Sequence, residues 1–233
     1  NKASASAGDK AAPAKSKKAG KYSGSDSVKD AGKISGTVSY AGTDKDGTSK
    51  ITKDNATCGQ DRAEGALVVA DGKLKNAVVY LEGVSSGKKW AADSVTVDNL
   101  GCVFTPRVSV GKYKGKLLAK NSDAVLHNTH LFLKKGNKNL FNIALPNKDQ
   151  TIEKPLRKKG LVDVKCDAHE WMQGWIFVSD HPYAAVTDEN GAFSLEDVPA
   201  GDYKIKVWHE KLGEKEASVK VAAAAGATSD FSF

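Results

Sequence analysis

From residue 32 onward, apolar and polar positions alternate in short runs. Ile34, Gly36, Val38 and Tyr40 take turns with Lys33, Ser35, Thr37 and Ser39, a period of two that sets one face of a strand against a core. Further apolar runs at 78–81, 94–97, 131–133, 161–164, 175–178, 203–208 and 217–221 have strand length. Between them stand Asp71-Gly72, Asn190-Gly191 and Ala200-Gly201, dipeptides that favour tight turns. The segment around Asn190-Gly191, from Ala185 to Phe193, predicts a hairpin. No long stretch keeps a 3.6-residue apolar period. Regular short strands with turn punctuation predict an all-β protein of sandwich type.

The first 31 residues break this pattern. Apart from alanines, their apolar side chains are only Tyr22 and Val28. So little burial cannot offset the entropy of ordering, and residues 1–31 are expected to be a disordered Lys/Ala/Ser-rich tether. Of the net charge of +7 on the 233 residues, this tail carries +4, from seven lysines and three aspartates. The body is close to neutral, with no basic helix or aromatic-basic motif. Nucleic acid is therefore not an expected partner; the basic tail suits tethering to a membrane or cell wall. The opening Asn1-Lys2-Ala3 suggests a processed chain, with lipid attachment just upstream as one form of anchor.

The last fifty residues resemble the carboxypeptidase-regulatory-like, transthyretin-like sandwich family. The resemblance rests on Thr187-Asp188-Glu189-Asn190-Gly191 followed by Val198-Pro199-Ala200-Gly201-Asp202-Tyr203. The opening strands of such a domain match residues 32–38 and 77–81, about a hundred residues upstream. The resemblance implies a discontinuous sandwich, residues 32–89 and 181–233, with a second domain at 90–180 inserted in a loop.

Three cysteines remain: Cys58, Cys102 and Cys166. Cys58 and Cys102 both adjoin glycine, whereas Cys166 lies near His169 and Met172. The odd count reads as one disulfide, Cys58 to Cys102, in an oxidising compartment, plus one special thiol.

The special thiol lies in Cys166-Asp167-Ala168-His169-Glu170-Trp171-Met172, a Cys-x2-His-x2-Met loop between two apolar runs. Upstream stands His127-Asn128-Thr129-His130. Each residue alone has a plain reading: a buried thiol, a core methionine, a strand-end histidine. Together, thiolate, thioether and two imidazoles suit copper, and two His, one Cys and a weak Met form the blue-copper set. Methionine argues against zinc. His130, three positions from His127, falls on the opposite strand face and is read as structural. His181 and His209 are read as linker and strand-end residues.

Residues 90–180 resemble a cupredoxin of the amicyanin and plastocyanin kind, through His127-Asn128, the ligand-loop spacing and the 39 residues from His127 to Cys166. The resemblance implies a Greek-key β-sandwich holding one type-1 copper on His127, Cys166, His169 and Met172. It implies that Asn128 bonds across to the backbone near Cys166. It also implies that His169 is the exposed ligand, whose ring edge passes electrons. The prolines of the amicyanin loop are replaced by Ala168 and Glu170. With no catalytic triad, phosphate loop or second copper centre in view, the expected function is electron transfer, not catalysis. The expected setting is the periplasm or cell envelope, with a cytochrome or dehydrogenase as redox partner. Two alternatives stand beside it: a copper-binding or delivery protein, and an envelope adhesion module whose sandwich binds carbohydrate.

Overall fold

A computed structural model describes residues 21–233. Among these the only helix is Asn55–Cys58; the rest is strand and turn, and two β-sandwiches account for most of it.

The first sandwich packs a five-stranded sheet on a four-stranded one. The larger sheet runs in the order Val108–Lys112, Gln173–Ser179, Gly160–Lys165, His127–Leu133, Lys138–Leu145. The first pair is parallel and the others antiparallel. The smaller runs Phe104–Thr105, Ser94–Asn99, Lys116–Asn121, Gln150–Pro155. Between them Val97, Leu117, Leu131, Leu145, Val162 and Ile176 form the core.

The second sandwich draws its strands from both sides of the first. One sheet is Ala184–Val186, Val78–Glu82, Gly201–His209, Gly213–Val221. The other is built around Gly32–Ser39, flanked by Ala192–Val198 and Lys73–Leu74. Ile34, Val38, Leu81, Phe193 and Ile205 close its core. The two sandwiches meet at Val78, Val108, Trp175, Phe177 and Trp208. Beside this seam the Arg107 guanidinium donates two bonds to the Glu210 carboxylate, at 2.6 and 2.9 Å.

Three expectations are corrected. Order begins before residue 32: Ser23–Ser25 pairs in parallel with Ser86–Lys88, and Tyr22 packs on the second core while its hydroxyl donates to Lys88 O at 2.5 Å. One aromatic side chain and three paired strand residues hold a segment that composition marked as a tether; residues 1–20 lie outside the described residues. Next, not all of 32–89 belongs to the flanking sandwich. Thr48–Ser49 pairs with Arg62–Ala63, and the lobe between them puts Ile51 and Cys58 in the first sandwich's core. Its two-residue strands are too short to show a period. Lastly, the turn at Asn190-Gly191 forms, with Asp188 Oδ1 accepting the amides of Asn190 and Ala192, both at 2.9 Å. The strands it joins, however, pair with different sheets, so it is a corner between sheets, not a hairpin. A Cβ on Gly191 would lie 2.3 Å from Val38 O, so the corner requires glycine there.

Candidate metal centre

His127 opens the strand His127–Leu133, and Cys166 follows directly on Gly160–Lys165. These strands are neighbours, with His130 opposite Lys165, so sheet register alone brings the two side chains to one end of the sandwich. Lys165 in turn pairs with Gln173. The seven residues between them form a closed loop, tightened by the Met172 amide donating to His169 O at 2.9 Å. That loop returns His169 and Met172 to the Cys166 side. All four side chains are buried, with Met172 in the same core as Cys166.

The donor atoms converge. Cys166 Sγ lies 3.9 Å from His127 Nδ1 and 3.8 Å from His169 Nδ1, and the two Nδ1 atoms are 3.0 Å apart. Both outer nitrogens face carboxylates: His127 Nε2 is 2.9 Å from Asp123 Oδ2, and His169 Nε2 is 2.9 Å from Asp54 Oδ2. An ionised carboxylate only accepts, so each Nε2 carries the proton and each Nδ1 presents its lone pair. Two lone pairs and the Cys166 sulfur thus point at one place, with no proton between the two nitrogens. That arrangement fits a cation bonded about 2.0–2.3 Å from each donor, as imidazole and thiolate bind transition metals. Burial lowers the pKa of His127, against the opposing pull of Asp123. Burial raises that of Cys166, against backbone amides that favour the thiolate. A neutral imidazole is held ready, and the thiolate requires a cation to form.

Asn128 spans the gap between the two strands. Its Oδ1 accepts the amides of Asp167 at 2.7 Å and Ala168 at 3.1 Å. Its Nδ2 donates to Asn142 Oδ1 and Asp167 Oδ2, and its backbone N–H points at Cys166 Sγ at 3.5 Å. His130 is on the other face, with Nδ1 3.0 Å from the Asp167 carboxylate. His209 sits at the far sandwich, against Phe233. Cys58 and Cys102 are joined in a disulfide.

His169 is not at the surface. It has no exposed area: Trp171 packs against it with ring centroids 4.9 Å apart and planes tilted by 52°, and Cys58 Sγ lies 4.0 Å from its Nε2. The expectation of an exposed ligand edge is overturned because the lobe 48–63, which the ligand-loop spacing does not reveal, lies over it. Asp123 and Asp54 are the site residues that sequence reasoning missed. Asp123 stands four positions before His127, a spacing open to inspection. Asp54 is 115 residues from His169, and no local signal marks it.

Residues 157–230 match the family model described as polysaccharide lyase family 4, domain II. No curated protein matches the chain. Among solved structures, the chain is similar to a purple cupredoxin from Nitrosopumilus maritimus, at 23% identity over 37% of this chain and 98% of that one, with a TM-score of 0.32. It is also similar to amicyanin from Paracoccus versutus, at 19% identity over 39% of this chain and 86% of that one, with a TM-score of 0.33. A reduced Cu(I) form of an amicyanin variant shares 21% identity over 43% of this chain and 98% of that one, with a TM-score of 0.33.

Proposed function

We propose that this chain is a one-electron carrier that holds a single type-1 copper on His127, Cys166, His169 and Met172. The supporting observation is the pair of imidazole lone pairs 3.0 Å apart, both facing the Cys166 sulfur, with each outer nitrogen fixed by a carboxylate. Bound copper supplies the Cu(II)/Cu(I) couple.

The protein's own part is to keep the site the same in both oxidation states. Two strands of one sheet hold His127 and Cys166, Asn128 ties them together, and a seven-residue loop returns His169 and Met172. Burial excludes water and competing ligands. Rigid, dry, preformed donors leave little to rearrange when an electron arrives. In this reading the chain turns over no substrate and passes electrons between redox proteins, a cytochrome or a dehydrogenase. The disulfide accords with an oxidising compartment, the periplasm or envelope. The flanking sandwich, read as a carboxypeptidase-regulatory-like module, is the docking or anchoring body.

Loading with Cu(II) tests the assignment. The protein should turn intensely blue through thiolate-to-copper charge transfer, and Cys166→Ser should remove the colour while the fold persists. A colourless Cu(II) adduct of the unaltered chain would end the type-1 reading.

A further inference from the structure

The lobe Thr48–Ala63 leaves the flanking sandwich, crosses to the metal end of the other and returns. It is anchored at several points. Ile51 is buried in the first core, and its amide donates to Asp61 Oδ1 at 2.9 Å. Cys58 is bonded to Cys102. Arg62 donates to Gly101 O at 2.6 Å and also bonds Cys58 O. At the tip, Asp54 adopts a left-handed backbone with φ 53° and starts the four-residue helix. Its carboxylate, 42% exposed on the outer side, reaches His169 Nε2 on the inner side at 2.9 Å.

We infer that Asp54 is a positioning residue for His169, and that this disulfide-pinned lobe is the shield over that ligand. The inference rests on the copper reading and adds what holds the loop histidine in place. Asp54 accepts the hydrogen bond of the Nε2–H, which keeps the proton on that nitrogen and commits the Nδ1 lone pair to the side of Cys166. Outer carboxylates of this kind fix the tautomer and orientation of ligand histidines.

The other ligand histidine is served in parallel. Asp123 binds His127 Nε2, and its two oxygens also accept the amides of Gly101 at 2.7 Å and Cys102 at 2.8 Å. The Cys58–Cys102 bond therefore links the segment that carries one carboxylate to the segment that grips the other. With Trp171 Nε1 donating to Cys102 O at 3.1 Å, the disulfide stands at the centre of the cover. A redox partner thus meets the lobe and not the bare edge of His169, and His169 cannot swing outward without displacing Asp54.

The full chain, labelled with nitrogen-15, tests this without relying on electron transfer. In the metal-free protein, long-range nitrogen–proton spectra should show His169 protonated on Nε2, with slow exchange of that proton with water. Asp54→Ala should speed the exchange at least tenfold and mix the tautomers. Asp54→Asn, whose carboxamide oxygen still accepts, should stay within about threefold of the unaltered chain. The paired replacement Cys58→Ser with Cys102→Ser should speed exchange in the same direction as Asp54→Ala. In the copper-loaded protein, added imidazole should alter the spectrum of Asp54→Ala and leave that of the unaltered chain unchanged. Exchange in Asp54→Ala equal to the unaltered chain, or Asp54→Asn exchanging as fast as Asp54→Ala, overturns the inference. A chain that is blue yet shows either result loses only the role of Asp54. A chain that is colourless with Cu(II) loses the copper reading, and the metal-free spectra still decide whether Asp54 holds the ring.

Discussion

The amide of Asn128 is the joint between the strand that starts at His127 and the turn that follows Cys166. It makes four side-chain bonds, one to Asn142 and three to Asp167 and Ala168, which lie 39 and 40 residues on in sequence. Each buried bond contributes about 1 kcal/mol net, and an amide left without its partner costs more. Asn128→Ala should therefore lower unfolding free energy by about 2–4 kcal/mol in a denaturant titration. A loss under about 0.5 kcal/mol would show that the turn is held elsewhere. The two anchors of the turn, Asn128 and His127, were legible through the resemblance that the His127-Asn128 pair carries. Asp167 was not. Burial acts to raise its pKa, but hydrogen bonds from His130, Asn142 and Asn128 outweigh it, so its carboxyl is held below the usual value. That network depends on contacts between residues 25 and more positions apart, which no local pattern encodes.

At the scale of the element, the end of the strand Gly201–His209 carries a measurable pH dependence. His209 is fully buried, and its Nε2 has no partner among the described residues. Burial, resisted by Glu210 and aided by Arg107, lowers its pKa to about 4. The unfolded imidazole titrates near 6.5. Below that pH the unfolded chain takes up a proton that the folded chain refuses, so stability is full above about pH 6.5 and falls as pH drops. The loss levels off below about pH 4, at about 3 kcal/mol. His209→Gln should remove that share of the decline between pH 7.5 and 4, read by denaturant titration at each pH. Equal declines in the two proteins would show that His209 is not the source. The strand itself was plain in the sequence, through the alternation from Tyr203 to Trp208. Strands such as Lys116–Asn121 and Gln150–Pro155 were not. Lysine and asparagine dilute their alternation, and only pairing with a neighbour shows which face is buried.

Over the whole molecule, long-range ties do the joining. The Cys58–Cys102 bond closes a separation of 44 residues and, by the loss of chain entropy in the unfolded state, contributes about 4 kcal/mol. Tyr22 and Ser23–Ser25 add a smaller tie at the other end. A chain that begins at residue 32 should be less stable than one that begins at residue 21 by about 1–3 kcal/mol, mostly from the lost Tyr22 burial. Comparison of their melting temperatures reads this directly. Identical melting would return residues 21–31 to the tether that composition predicts.

The sequence by itself determined the class of fold and picked out the candidate metal donors. Alternation is a local property of a strand, and Cys166, His169 and Met172 share one turn, so short-range spacing carries both. It also pointed to the pairing of Cys58 with Cys102, by setting the third cysteine apart. Only the tertiary structure decided that His169 lies under a lobe from the other sandwich, that Asp54 and Asp123 fix the two imidazoles, and that the Asn190-Gly191 turn joins two sheets. Each of these depends on which distant segments share a core. Burial of Ile51 and Cys58 is set by packing across the molecule, and no periodicity in a segment of two-residue strands records it.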